Sequence, residues 1–141
     1  MTGLWVLVAT LVAAAAVGAL LKARNGRVRD AKPARELPAP VTAALDPASA
    51  VTLVQISTTF CAPCRHAKAV LGPLAERTDG LHHVELDVTN QPEVAQSLAV
   101  LRTPTTIALT PDGRELLRVG GVPKGPELLA ALRPYLTSRT P

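Results

Sequence analysis

Aromatic side chains are almost absent from this 141-residue chain: Trp5, Phe60 and Tyr135 make up 2% of it. The core must therefore be built from Leu, Val and Ala. A surface that stacks single-stranded bases on rows of aromatics has no residues to be made from. Cysteine is as scarce, with Cys61 and Cys64 alone. Two cysteines cannot build a disulfide-stapled secreted scaffold, nor a zinc site of cysteines alone. An excess of charge is missing from most of the chain too. The net charge is +4, but residues 1–47 carry +3 of it and residues 48–141 only +1. A nearly neutral domain argues against a nucleic-acid partner. The basic residues Lys22, Arg24, Arg27, Arg29, Lys32 and Arg35 follow an apolar stretch. That arrangement reads as contact with anionic lipid headgroups.

The apolar stretch runs from Gly3 to Leu21 without a charge. Nineteen residues of helix rise roughly 28 Å, close to the thickness of a bilayer core. Trp5 lies near one end, where an indole suits the interface. No Lys or Arg precedes the run, whereas a cleaved signal peptide normally carries a basic leader. The small-residue run Val17-Gly18-Ala19 keeps the signal-peptide alternative open. The expectation is a membrane anchor over residues 1–22. All flanking positive charge lies on its C-terminal side, which predicts a cytoplasmic domain, with an extracytoplasmic one as the alternative. Residues 23–47 are basic and contain Pro33, Pro38, Pro40 and Pro47 without helical or strand periodicity. They read as a semi-extended tether holding the domain off the membrane. Arginine outnumbers lysine, a bias common in GC-rich bacterial genomes.

Residues 48–141 show alternating elements. Val51–Ile56 is a β-branched-rich apolar run of strand length. From Cys61 to about Thr78, Ala67, Val70, Leu71, Leu74 and Ala75 recur at helical spacing, and Gly72-Pro73 predicts a break. His83–Val88 alternates as a strand, with Val84, Leu86 and Val88 on the apolar face and His83, Glu85 and Asp87 on the polar one. Pro92–Val100 reads as a short helix. Thr105–Thr110 and Arg114–Val119 read as a hairpin about Pro111-Asp112-Gly113, and Glu127–Thr137 closes as a helix. The order predicts a four-stranded mixed sheet with helices on both faces.

The chemistry sits at Phe60-Cys61-Ala62-Pro63-Cys64-Arg65, where a strand hands over to a helix. A thiol at a helix N-terminus meets unpaired N–H groups and the positive dipole end, so its thiolate is favoured. Two intervening residues put the second sulfur within bonding distance. Cys61 then attacks a substrate disulfide, and Cys64 releases the product. Pro63 limits the loop's conformations. Three further readings remain. A zinc site would need two more ligands, and His66, His82 and His83 lack the usual spacing. A cysteine-based metal carrier is the next, though no Met precedes the pair. A binding or assembly module would use the surface without turnover.

With these residues in place, 48–141 resembles the thioredoxin family. Cys61-Ala62-Pro63-Cys64 is similar to the family's Cys-Gly-Pro-Cys, with Phe60 where Trp is usual. Thr103-Pro104-Thr105 matches the family's cis-proline, and Gly120-Gly121 its glycine turn. The resemblance implies a thioredoxin-like α/β fold and thiol–disulfide oxidoreductase activity. Its catalytic residues would be Cys61 and Cys64, and substrate would bind at Phe60, Pro63, Thr103, Pro104 and Gly120. It implies protein disulfide or dithiol substrates, an upstream thiol donor, and neither cofactor nor metal. The Cys-Ala-Pro-Cys sequence resembles the reducing members. Two departures stand out. The family's buried acid is replaced by Gln55, and the lysine on the next strand by Glu85. This exchange suggests Glu85 as proton acceptor for Cys64.

Overall fold

The computed structural model describes residues 1–31 and 36–137. In chain order the elements are α1 (Thr2–Arg24), β1 (Val28–Asp30), α2 (Ala39–Ala43), β2 (Val51–Ser57), α3 (Ala62–Glu76), β3 (Leu81–Asp87), α4 (Pro92–Ser97), β4 (Thr105–Leu109), β5 (Glu115–Gly120) and α5 (Gly125–Thr137). Helix α1 is apolar on all sides and none of its residues is buried. Such a helix fits an apolar medium rather than a core face. Its length and its mean hydropathy of 2.5 meet the requirements of a membrane span and of a signal sequence alike.

The sheet has five strands, not four, in the order β1-β5-β4-β2-β3. Strand β2 is an interior strand, buried along its whole length, as expected for an apolar run covered on both faces. It pairs in parallel with β3 and antiparallel with β4. Side chains alternate between the faces. Val51 and Leu53 join Leu71 of α3 and Leu128 and Leu132 of α5 in one core cluster. Val54 and Ile56 join Val94 of α4 and Val41 of α2 in the other. Small and branched aliphatics fill both layers, so the core holds together without a single buried aromatic among the described residues.

The fifth strand comes from the stretch expected to be a tether. Val28, Arg29 and Asp30 pair antiparallel with Val119, Arg118 and Leu117. Three mostly polar residues carry no detectable period; the strand exists because β5 offers them a ladder. The same stretch supplies α2, whose Val41 is fully buried. Of its prolines, Pro33 lies outside the described residues, Pro38 caps α2 and Pro40 sits in its first turn, where the missing N–H costs nothing. Helix α3 also departs from expectation. It continues through Gly72-Pro73 as one element, with Pro73 on its exposed side, where the ring meets solvent rather than the core.

If residues 39–43 belong to the folded domain, trimming Val41 must cost core energy. Val41→Ala is expected to lower unfolding stability by about 2 kcal/mol through lost burial and a residual cavity. Urea titration of the full chain in detergent measures it; an unchanged midpoint would return the segment to a tether.

Candidate active site

Strand β2 ends at Ser57, and Phe60 turns the chain with φ 60° before α3 begins. Cys61 is the N-cap of α3, and Pro63 lies in the first turn. The Cys64 N–H donates to Cys61 Sγ at 3.2 Å. A helix amide thus points at the first sulfur. The two cysteines form a disulfide with their Cα atoms 5.2 Å apart. Cys61 is partly exposed and Cys64 is only 2% exposed. The Cys61 sulfur is therefore the one a partner can reach. Phe60 is fully exposed beside it.

The second wall is the segment before β4. The Thr103–Pro104 peptide bond is cis. The Thr103 hydroxyl lies 3.8 Å from Cys61 Sγ and 3.3 Å from Thr58 Oγ1. Gly121, at φ 88°, donates its N–H to the Pro104 carbonyl at 2.8 Å. Arg102 reaches the Gly120 carbonyl at 3.0 Å. The loop behind is pinned from below. Arg118 is nearly buried, forks onto Glu115 at 2.7 and 2.8 Å, and donates to the Leu98 carbonyl at 2.9 Å. A planar guanidinium satisfied on three sides suits such a site. The structure thus brings together Phe60, Cys61, Pro63, Cys64, Thr103, Pro104 and Gly120. His66 is exposed on α3. Among the described residues, no group of three or more His, Cys, Asp or Glu side chains is placed to hold a metal ion.

Beneath the disulfide the polar groups are arranged differently from the sequence expectation. Gln55 is fully buried, and its amide donates to the Cys64 carbonyl at 2.8 Å. Its Oε1 lies 3.0 Å from His83 Nε2, so that nitrogen carries the proton. Glu85 instead accepts from Ser57 Oγ at 3.0 Å and from Lys68 Nζ at 2.9 Å. The Lys68 hydrogen bond, more than burial opposes it, lowers the Glu85 pKa. The group bonded to Cys64 is Gln55, and the ionisable group behind it is His83. The sequence hides this because the face of β3 that carries His83 and Glu85 looks solvated, yet it lies under α3, where Lys68 meets it. The parallel register that sets Leu53 beside His83 and Gln55 beside Glu85 joins residues 30 apart in sequence.

A mixed α/β sheet that delivers a disulfide-forming pair to a helix N-terminus against a cis-proline defines a thioredoxin-like protein. A family profile described as Thioredoxin matches residues 41–133. The chain belongs to the thioredoxin family. It is 37% identical over 81 residues to the thioredoxin of Mycobacterium bovis, covering 57% of this chain and 69% of that one. It is 32% identical over 72 residues to Thioredoxin H2 of Arabidopsis thaliana, covering 51% of this chain and 53% of that one. The chain thus spans about half the length of the latter relative. Thioredoxin NaTrxh from Nicotiana alata superposes with a TM-score of 0.54 at 28% identity, over 61% of this chain and 73% of that structure. Family membership and a bonded cysteine pair together support thiol–disulfide oxidoreductase activity.

Burial lowers the His83 pKa below the ordinary imidazole value; Glu85 opposes this, while Lys68 and His82 add to it. The unfolded chain then binds the extra proton first, near pH ~6.5. Stability is full above that value and declines as pH falls through it toward the lowered folded value. Unfolding midpoints are expected to rise as pH is raised toward ~6.5 and to level off above it. His83→Gln keeps a donor for Gln55 and should flatten that rise in the same titrations.

Proposed function

We propose that this chain is a membrane-tethered thiol–disulfide oxidoreductase that works as a reductase of protein disulfides. One observation carries the reading: the partly exposed Cys61 sulfur caps α3 and accepts the Cys64 amide, with Cys64 bonded behind it. In the reduced form the Cys61 thiolate attacks a substrate disulfide. One S–S bond breaks, a mixed disulfide forms, and a substrate thiolate leaves. Cys64, as thiolate, then attacks Cys61 Sγ; the Cys61–Cys64 disulfide forms and the second substrate thiolate departs. Two electrons pass to the substrate, and its thiolates take protons from solvent. An upstream dithiol resets the pair. Phe60, Pro63, Thr103, Pro104 and Gly120 form the surface on which the substrate segment lies. Helix α1 serves as the anchor among membrane lipids, with the domain on the cytoplasmic side by charge asymmetry and the extracytoplasmic side as the alternative. Protease access in intact cells reports that side.

Dithiothreitol-dependent reduction of a protein disulfide is expected to vanish in Cys61→Ser. Cys64→Ser should accumulate a mixed disulfide visible on a non-reducing gel. Full turnover by Cys61→Ser would refute the reading, and no turnover by the native chain would favour a binding module.

Glu85 remains the acceptor suggested by sequence for the Cys64 proton. Its ion pair with Lys68 keeps it charged and weakens it as a base. Glu85→Gln is therefore expected to leave the pH profile of turnover nearly unchanged, far short of the ~10²-fold loss that removal of a general base brings. A missing acidic limb would restore Glu85 to the role.

A further inference from the structure

The proline-rich stretch cannot act as a spacer between anchor and domain, because the chain is already docked upstream of it. Helix α1 ends at Arg24, and the Asn25 N–H closes it on the Leu21 and Lys22 carbonyls at 3.2 and 3.3 Å. The next residue, Gly26, donates to the Gly120 carbonyl at 2.8 Å. It adopts φ 74°, and a Cβ there would collide with the Val122 carbonyl. Val28–Asp30 then join the sheet. A single residue, Asn25, thus separates the last turn of the span from the folded domain.

The docking point is beside the redox site. The Asn25 side chain occupies the space a Cβ on Gly121 would need. Gly121 is bonded to Pro104, and Thr103 touches the Cys61 sulfur. Leu21 and Arg24 of α1 line a cleft of about 530 Å³ together with Leu101, Arg102 and Arg29. Leu21 is the last residue of the apolar run, so this cleft opens where hydrocarbon gives way to headgroups. Arg24, Arg29 and Arg102 around it outnumber the one acid in the lining, Asp30, and suit anionic headgroups. Leu101 is 96% exposed there, and Phe60 is fully exposed next to Cys61.

We infer that the reach of this enzyme is restricted to the bilayer surface, and that its substrate is a disulfide in the juxtamembrane segment of an integral membrane protein, flanked by apolar residues. The inference rests on the tethered-oxidoreductase reading. It holds on whichever side of the membrane the domain lies. The exchange is the one described above: two electrons leave Cys61 and Cys64 and both partner sulfurs become thiolates.

The test uses the full chain in lipid vesicles with dithiothreitol as donor. One disulfide peptide is offered in two forms, free in solution or fused a few residues from a transmembrane helix in the same vesicle. A second protein carries a Gly/Ser insert of about 20 residues, with a reach of ~25 Å, between Arg24 and Asn25. The native chain is expected to reduce the membrane-held disulfide faster. The insert should slow that reaction about ten-fold by diluting the site at the surface, and leave the soluble reaction unchanged, which also shows that the domain still folds. A membrane-integrated chain that prefers the soluble peptide, or an insert without effect on the membrane-held one, overturns this inference alone. Extraction of the chain by carbonate overturns the anchor with it. Failure on both peptides overturns the oxidoreductase reading beneath it.

Discussion

Burial of β2 on both faces and both edges is the constraint from which the rest follows. A strand held by parallel pairing on one side and antiparallel pairing on the other cannot shift register without moving every core residue. Its C-terminal end is therefore a fixed point. Phe60, turning at positive φ, and Cys61, capping α3, are delivered from that point. The opposite wall derives from β4, the next strand in the same sheet, so Thr103 meets Cys61 across a rigid gap. A flexible pair of cysteines would find each other as readily but would not present one sulfur outward and the other inward.

The polar layer under the cysteines shows how a neutral amide occupies a buried position. An isolated buried carboxylate would need a compensating cation. Gln55 needs only one acceptor and one donor, and the Cys64 carbonyl and the His83 imidazole supply them. The charges move outward to Lys68 and Glu85, where water screens them. Cys64 is thereby fixed through its backbone rather than through its thiol.

What the sequence revealed depended on how local each signal was. The cysteine pair, Pro104 and the glycine turn are short motifs whose meaning is set within a few residues, and the structure brings them into one site. Strands β2 to β5 are legible from local signals: an apolar β-branched run in β2, alternation in β3, and the Pro111-Asp112-Gly113 turn that joins β4 to β5. Strand β1 is not, because Val28-Arg29-Asp30 is too short and polar to show a period and owes its form to a partner some 90 residues on. Helix α2 is masked by its prolines, which suit a first turn as well as a spacer. The contact of Gln55 with His83 depends on sheet register, which no local pattern reports.

The pairing of β1 with β5 also determines how the domain can be cut. Cleavage between Leu21 and Asn25 would free a body that keeps all five strands and Val41. Cleavage at residue 48, where composition suggests the domain begins, would instead strip β5 of its neighbour along Leu117–Val119 and empty a core position. The released fragment would carry an unpaired row of amides and carbonyls, a template for association with its own copies. A shed form that stays monomeric must therefore retain the few residues that join the span to the sheet.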